Sequence, residues 1–313
     1  MKGLLLAEAY YQDHGEPLLR KRFPQLMDHL AIGLVGSGSE CFGFDDRYSR
    51  DHNWGPSFCI WLTDDDNDRF GADLIQAYDS LPQTYQGISR TPLADGEERL
   101  RGPLRISEFY RSHTGLSCPP ATHAQWLAIP QSYLAECTNG KVFHDPLGLF
   151  TSWRNQLRAY YPEDVRRHKI AARCMTAGQV GQYNYPRHLS RGDPIALTYM
   201  VSRFSYDITA LVFLLVKEYC PYYKWMYRGL KTIGGLGETV YRLLEKLHHD
   251  REHTTKGEVI EEICRLLINE INRQNIVDGS ITVLMDLAME IQQTIEDPQL
   301  RELFYRVDDA VLY

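Results

Sequence analysis

Apolar and polar positions change rhythm twice along this chain, and the changes predict its elements. Residues 31–35 form an apolar run that reads as a strand, and it stops at Gly36-Ser37-Gly38-Ser39, four residues too small and flexible to continue it. A second apolar run over 58–62 reads as the next strand. Ahead of them, residues 2–29 predict one or two helices with Tyr10, Tyr11, Leu18, Leu19, Phe23, Leu26 and Met27 on the apolar face and breaks at Pro17 and Pro24. After the second strand comes an acidic turn, 63–68, and then a helix over about 68–81 with Phe70, Leu74, Ile75 and Tyr78 inward. Residues 82–120 are rich in Gly, Pro, Ser and Thr, with weak strand character at 104–106 and a helix at 107–112. A long irregular stretch inside a domain is expected to carry function, as a lid or substrate-binding edge. Residues 122–138 predict two short helices broken at Pro130, and Asn139-Gly140 a turn.

Beyond that turn the rhythm is helical almost to the end, over 147–160, 162–183, 186–219, 240–249, 257–274 and 280–295. The expectation is an α+β protein. Residues 1–143 form a short mixed sheet with flanking helices, and 144–313 form an all-helical bundle domain.

Composition narrows the partners. With 313 residues, 43% hydrophobic and 24% charged, the chain can bury a sizeable core. A formal net charge of -7 argues against a broad contact with nucleic-acid backbone, though it leaves room for a local basic groove. The seven cysteines are scattered and never form Cys-x-x-Cys, which fits buried thiols in a reducing compartment better than disulfides or zinc. The apolar run at the N-terminus is interrupted at Glu8, so it reads as neither a signal core nor a membrane span, and a cytoplasmic location is expected.

The candidate chemistry centres on residues 33–62. Glycines permit positive φ and let successive N–H groups face an anion, so Gly36, Ser37, Gly38 and Ser39 can cradle a phosphate. Just before the second strand stands Asp51-His52-Asn53, where an extended backbone turns Asp51 and Asn53 to the same face. Two such side chains can hold a divalent cation beside the phosphates. Asp45 and Asp46 read either as further ligands or as a surface turn.

This arrangement, a strand, Gly38-Ser39, then Asp51-His52-Asn53 beside another strand, resembles the DNA polymerase beta superfamily of nucleotidyltransferases. The string Ser39-Glu40-Cys41-Phe42-Gly43-Phe44-Asp45-Asp46, with Ser49-Arg50-Asp51-His52 and Gly55-Pro56, is similar to a bacterial branch of it that carries a helical C-terminal region. That branch usually has Asp-His-Asp, and here Asn53 stands where the second carboxylate is expected. The resemblance implies a nucleotidyltransferase domain over 1–143, a catalytic pair Asp51 and Asn53 that also ligates metal, and magnesium, in a two-metal site, as the cofactor. It also implies a third carboxylate, for which Glu108 is the candidate, the other reading being a surface acid at a helix start. The segment 219–228 resembles one in which a lysine reaches the nucleotide phosphates, which gives that role to Lys224 and an adjacent contact to Tyr223; the other reading has Lys224 lying over an aromatic core.

One more segment stands out on its residues alone. From Gly178 to Arg187, amides interleave with aromatics where a bundle would place apolar residues, so Gln179, Gln182, Asn184 and Arg187 read either as a cleft wall contacting nucleotide or acceptor, or as a helix end, a turn and a new helix opening at Pro186. The expected function is magnesium-dependent transfer of a nucleoside monophosphate from a triphosphate, ATP being favoured, to a hydroxyl of a small molecule or protein. Asn53 motivates a nucleotide-binding sensor or pseudoenzyme as the alternative. A tRNA-modifying enzyme of a toxin–antitoxin type is a further one, less favoured on charge.

Overall fold

The helix that opens the chain runs straight through the proline expected to break it. In the computed structural model, which describes residues 2–49, 54–90, 99–250, 252–277 and 280–303, α1 (Gly3–Tyr10) passes through a π-helical turn (Tyr11–Gly15) into α2 (Glu16–Arg22). Pro17 falls in the first turn of α2, where a missing N–H costs little, and the wider turn before it gives the ring room.

Strand β1 (Ala31–Leu34) is followed by the Gly-Ser turn, and β2 (Cys59–Leu62) leads into α3 (Asp64–Asp79). That helix starts inside the stretch read as an acidic turn. The Thr63 hydroxyl accepts from the Asp66 N–H at 3.1 Å, and Asp64, Asp65 and Asp66 occupy the first turn, where the helix dipole favours acids. Its inward stripe holds Leu74, Ala77 and Tyr78, while Ile75 lies one step off it and is 37% exposed.

A two-residue hairpin, β3 (Thr84–Tyr85) and β4 (Ile88–Ser89), precedes β5 (Gly102–Arg105) and α4 (Ile106–Thr114). Then come α5 (His123–Ala128), α6 (Gln131–Thr138), β6 (Lys141–His144) and α7 (Leu149–Arg158). The sheet order is β5-β2-β1-β6, with β2 and β5 parallel and the other neighbours antiparallel. Strand alternation divides its core. Phe58, Ile60 and Leu62 join Tyr10, Leu19, Leu74 and Tyr78 on one face, while Trp61 turns to the other and stacks on Phe150 at 3.9 Å, beside Phe109.

The chain divides into two units, Met1–Pro120 with Tyr133–Ala159, and Ala121–Ser132 with Tyr160–Tyr313. Instead of one crossing after residue 143 there are three, at 120/121, 132/133 and 159/160. Two contacts explain the late crossing: β6 pairs with β1, and the Phe150 stack ties α7 to the sheet.

The second unit is helical. It holds α5 and then α8 (Glu163–Ala177), a π-helical segment (Gly178–Asn184), α9 (Tyr185–Leu189), α10 (Pro194–Val216), α11 (Tyr223–Ile233), α12 (Gly235–His249), α13 (His253–Arg273), α14 (Leu284–Gln293) and α15 (Pro298–Glu302). Buried Asp207 of α10 takes Arg173 of α8 at 2.7 Å and Arg203 at 2.8 Å. Arg166 of α8 donates to the Leu214 carbonyl at 2.9 Å, placing a cation at the C-terminal end of α10. Among the described residues α10 is long and apolar enough to cross a membrane, and 72% of that stretch is buried inside the protein.

Candidate anion-binding site

Gly36, Ser37, Gly38 and Ser39 follow β1 as a turn, and the two glycines have φ of +113° and +127°, a region that residues with a side chain rarely adopt. The turn is braced from three directions. Asn139 accepts from the Gly36 N–H at 2.9 Å and returns a hydrogen bond to the Gly36 carbonyl at 2.8 Å. Arg101 Nη2 donates to the Ser37 carbonyl at 2.8 Å and to Glu40 Oε1 at 2.9 Å. Ser37 Oγ donates to Glu136 Oε2 at 2.8 Å.

What the brace leaves open is the chemistry of interest. Among the described residues, the N–H groups of Ser37, Gly38 and Ser39 have no acceptor, and the Ser39 hydroxyl has no partner. Consecutive backbone donors of this kind on a glycine turn suit an anion.

The charges around the turn are balanced in pairs. Glu40 is buried and Arg101 partly so, its side chain 11% exposed, and each cancels the other. Burial raises the Cys41 and Cys59 thiols, which flank Arg101, so they stay neutral and Glu40 is the counter-charge. Glu136 meets His113 Nε2 at 3.3 Å. His113 Nδ1 lies 2.8 Å from the Phe109 carbonyl, which ties the ring to its own helix.

The other candidate residues fall as follows. Asp51 and Asn53 lie outside the described residues. Asp45 is structural: its carboxylate accepts from the Gly3 N–H at 2.9 Å, at the start of α1, and from Trp54 Nε1 at 3.3 Å. Asp46 closes a local turn on the N–H groups of Tyr48 and Ser49. Glu108 sits exposed in the first turn of α4, 3.6 Å from Arg105 Nε. Strand β5, which runs parallel to β2, contains no acid.

Gln179, Gln182, Asn184 and Arg187 belong to the second unit. The helix does not end there but widens into a π-helical segment and continues into α9, with Pro186 in its first turn. Gln182 is committed to structure: its oxygen accepts from the Leu284 N–H at 2.8 Å and its amide donates to Glu261 at 2.9 Å. Arg187 lies over the Tyr183 ring at 3.6 Å, and Gln179 is exposed. Tyr223 and Lys224 occupy the first turn of α11, both exposed, with Lys224 Nζ 5.3 Å from the Trp225 ring. Among the described residues, no group of three or more His, Cys, Asp or Glu side chains is gathered as for a metal ion.

Residues 126–226 match a family described as Domain of unknown function (DUF4037). The match runs from α5 into α11, so it includes Gln179 through Arg187 and Lys224 and leaves the Gly36–Ser39 turn outside. No curated protein matches the chain. Among solved structures, the chain is similar to a nucleotidyltransferase-like protein from Exiguobacterium sibiricum 255-15, at 11% identity over 89% of each chain, with a TM-score of 0.36. Agreement that loose carries no argument about activity.

Proposed function

We propose that this protein is a magnesium-dependent nucleotidyltransferase that holds a nucleoside triphosphate, ATP in the first instance, on the Gly36–Ser39 turn and transfers its nucleoside monophosphate to an acceptor hydroxyl. One observation carries the reading: three consecutive N–H groups, at Ser37, Gly38 and Ser39, stand without an acceptor among the described residues, on a turn that Asn139 and Arg101 hold rigid. Phosphoryl chemistry of this kind depends on positioning and charge more than on covalent help from side chains, and a braced set of donors supplies positioning.

Asp51 and Asn53 would hold the magnesium, a hard ion suited to a carboxylate and an amide oxygen, and the ion would neutralise phosphate charge. Glu108 stands as the proposed third acid, and a small molecule or protein as the acceptor. Asp51→Ala is expected to abolish magnesium-dependent triphosphate binding in a folded protein, as read by calorimetry.

The second reading, a nucleotide-binding sensor, rests on Asn53. An amide there removes charge that matters most when charge develops in the transition state, so binding should survive while turnover suffers. The two readings separate on Asn53→Asp. With ATP, magnesium and a cell extract as acceptor source, the nucleotidyltransferase reading expects pyrophosphate release to rise about a hundredfold, with little change in affinity. Firm triphosphate binding without any gain would leave the sensor.

A further inference from the structure

We infer that the exposed face of α11, together with the stripe of α10 beside it, binds single-stranded nucleic acid. The chain carries a net charge of -7, yet α11 (Tyr223–Ile233) contains Lys224, Arg228 and Lys231 and no acid at all. Met226, Gly229 and Leu230 fill its buried side. At the edge of that buried side Tyr223 and Tyr227, one turn apart, are 61% and 37% exposed. Lys224 and Lys231, two turns apart and both exposed, follow on the adjoining stripe.

The aromatic row continues onto α10, which packs against α11. Tyr227 has Tyr206 and Asp207 of α10 among its neighbours. Arg173 and Arg203 both lie near the Tyr206 ring, at 5.2 and 5.8 Å from its centre, so the stripe carries cations beside its aromatic rings. Two turns back along the same stripe, Tyr199 is 64% exposed.

Charge complementarity decides the occupant. A protein partner could use the tyrosines, but burying the lysines beside them would demand a matching row of acids. A single strand supplies both halves at once: its bases stack on tyrosine rings while its phosphates meet the lysines. A duplex cannot, because its bases are already stacked. No bound triphosphate is needed, and Tyr223 and Lys224 go to the bases and phosphates of a strand.

The test uses the full chain and fluorescein-labelled 15-nucleotide probes, oligouridylate and oligothymidylate, beside a duplex of mixed sequence and inorganic polyphosphate. Both single strands are expected to bind, with RNA and DNA arms showing whether the 2′-hydroxyl contributes. Tyr223→Ala and Tyr199→Ala should each weaken them about fivefold or more while leaving polyphosphate unchanged. Lys224→Gln with Lys231→Gln should flatten the slope of log affinity against log salt by about 1.4, since each phosphate no longer neutralised takes away about 0.7. Circular dichroism melts show that the variants fold. Absence of binding at low salt overturns the inference, as does duplex binding at equal strength. Competition by millimolar magnesium–ATP would return Tyr223 and Lys224 to the nucleotide and overturn it too. A dimer in light scattering that Tyr223→Ala dissolves would show a second copy covering the face, with the same consequence.

Discussion

At residues 36–39 and again at 178–184, glycine alternates with small or polar residues, yet the backbone does different things at the two places. In the first, Gly36 and Gly38 take positive φ, the chain leaves the sheet, and three N–H groups are left without acceptors among the described residues. In the second the backbone stays helical, and the glycines make room. A Cβ on Gly181 would lie 2.6 Å from the Phe204 ring, and one on Gly178 would lie 2.8 Å from the Met285 nitrogen. The polar neighbours differ in the same way. Ser39 keeps its hydroxyl uncommitted among the described residues, whereas Gln182 spends both ends of its amide on Leu284 and Glu261. Glycine next to polar residues leaves backbone donors open at the place where the backbone departs from regular structure, and not where it stays helical.

The sharpest way to break this contrast is alanine at both places. Gly38→Ala would force a side chain into φ +127° and bring its Cβ within 2.6 Å of the Glu40 carboxylate. The strain is of order 1–3 kcal/mol, and because Glu40 holds Arg101, the whole turn should shift. Triphosphate affinity is expected to fall tenfold or more by calorimetry, with a modest fall in melting temperature. Wild-type affinity in this variant would show that the turn's geometry serves packing alone.

Gly181→Ala should do the reverse. Overpacking against Phe204, itself fully buried, costs about 1–3 kcal/mol, partly offset by the better helix propensity of alanine, so a net loss of about 1–2 kcal/mol is expected in urea denaturation. Triphosphate affinity should not move. Gln182→Ala comes next, at about 1 kcal/mol, since it strands the Leu284 N–H. A clear loss of nucleotide affinity without loss of stability in this variant would return Gln182 to the site.

The strands and the turn are legible in the sequence because their signals are local: a short apolar run, then four small residues. The same holds for the helical half, where period and length agree. The brace is not legible, because its members meet only after folding. Arg101, Glu136 and Asn139 lie far along the chain from Ser37, in a loop, a helix and a turn that read as ordinary surface. The crossings between units are hidden for a similar reason, since β6 is too short to announce itself and only its pairing with β1 shows where it belongs. The continuity of the helices through Tyr11–Gly15 and Gly178–Asn184 is masked by prolines at 17 and 186, which suggest breaks, and the π-helical turns ahead of both accommodate them.

The smallest expected effect concerns Ser37, and it tests how the turn takes its ligand. The Ser37 hydroxyl has one proton, and it is given to Glu136 at 2.8 Å. To donate to a phosphate it must abandon that bond, so the net gain is an exchange of one charge-assisted hydrogen bond for another. Glu136 is not stranded by the loss, because His113 still faces it at 3.3 Å. Removing the hydroxyl should therefore cost little: Ser37→Ala is expected to weaken triphosphate binding by no more than about threefold, well under the roughly 1.4 kcal/mol that a factor of ten represents. Glu136→Gln sharpens the point from the other side. It removes a negative charge that touches the turn, so affinity should rise by a similar factor, and more at low salt, where the repulsion is least screened. Calorimetry at two ionic strengths reads both. A tenfold loss in Ser37→Ala would mean that the hydroxyl is a principal donor to the phosphate, and that the backbone N–H groups of Gly38 and Ser39 do less of the holding than their freedom suggests.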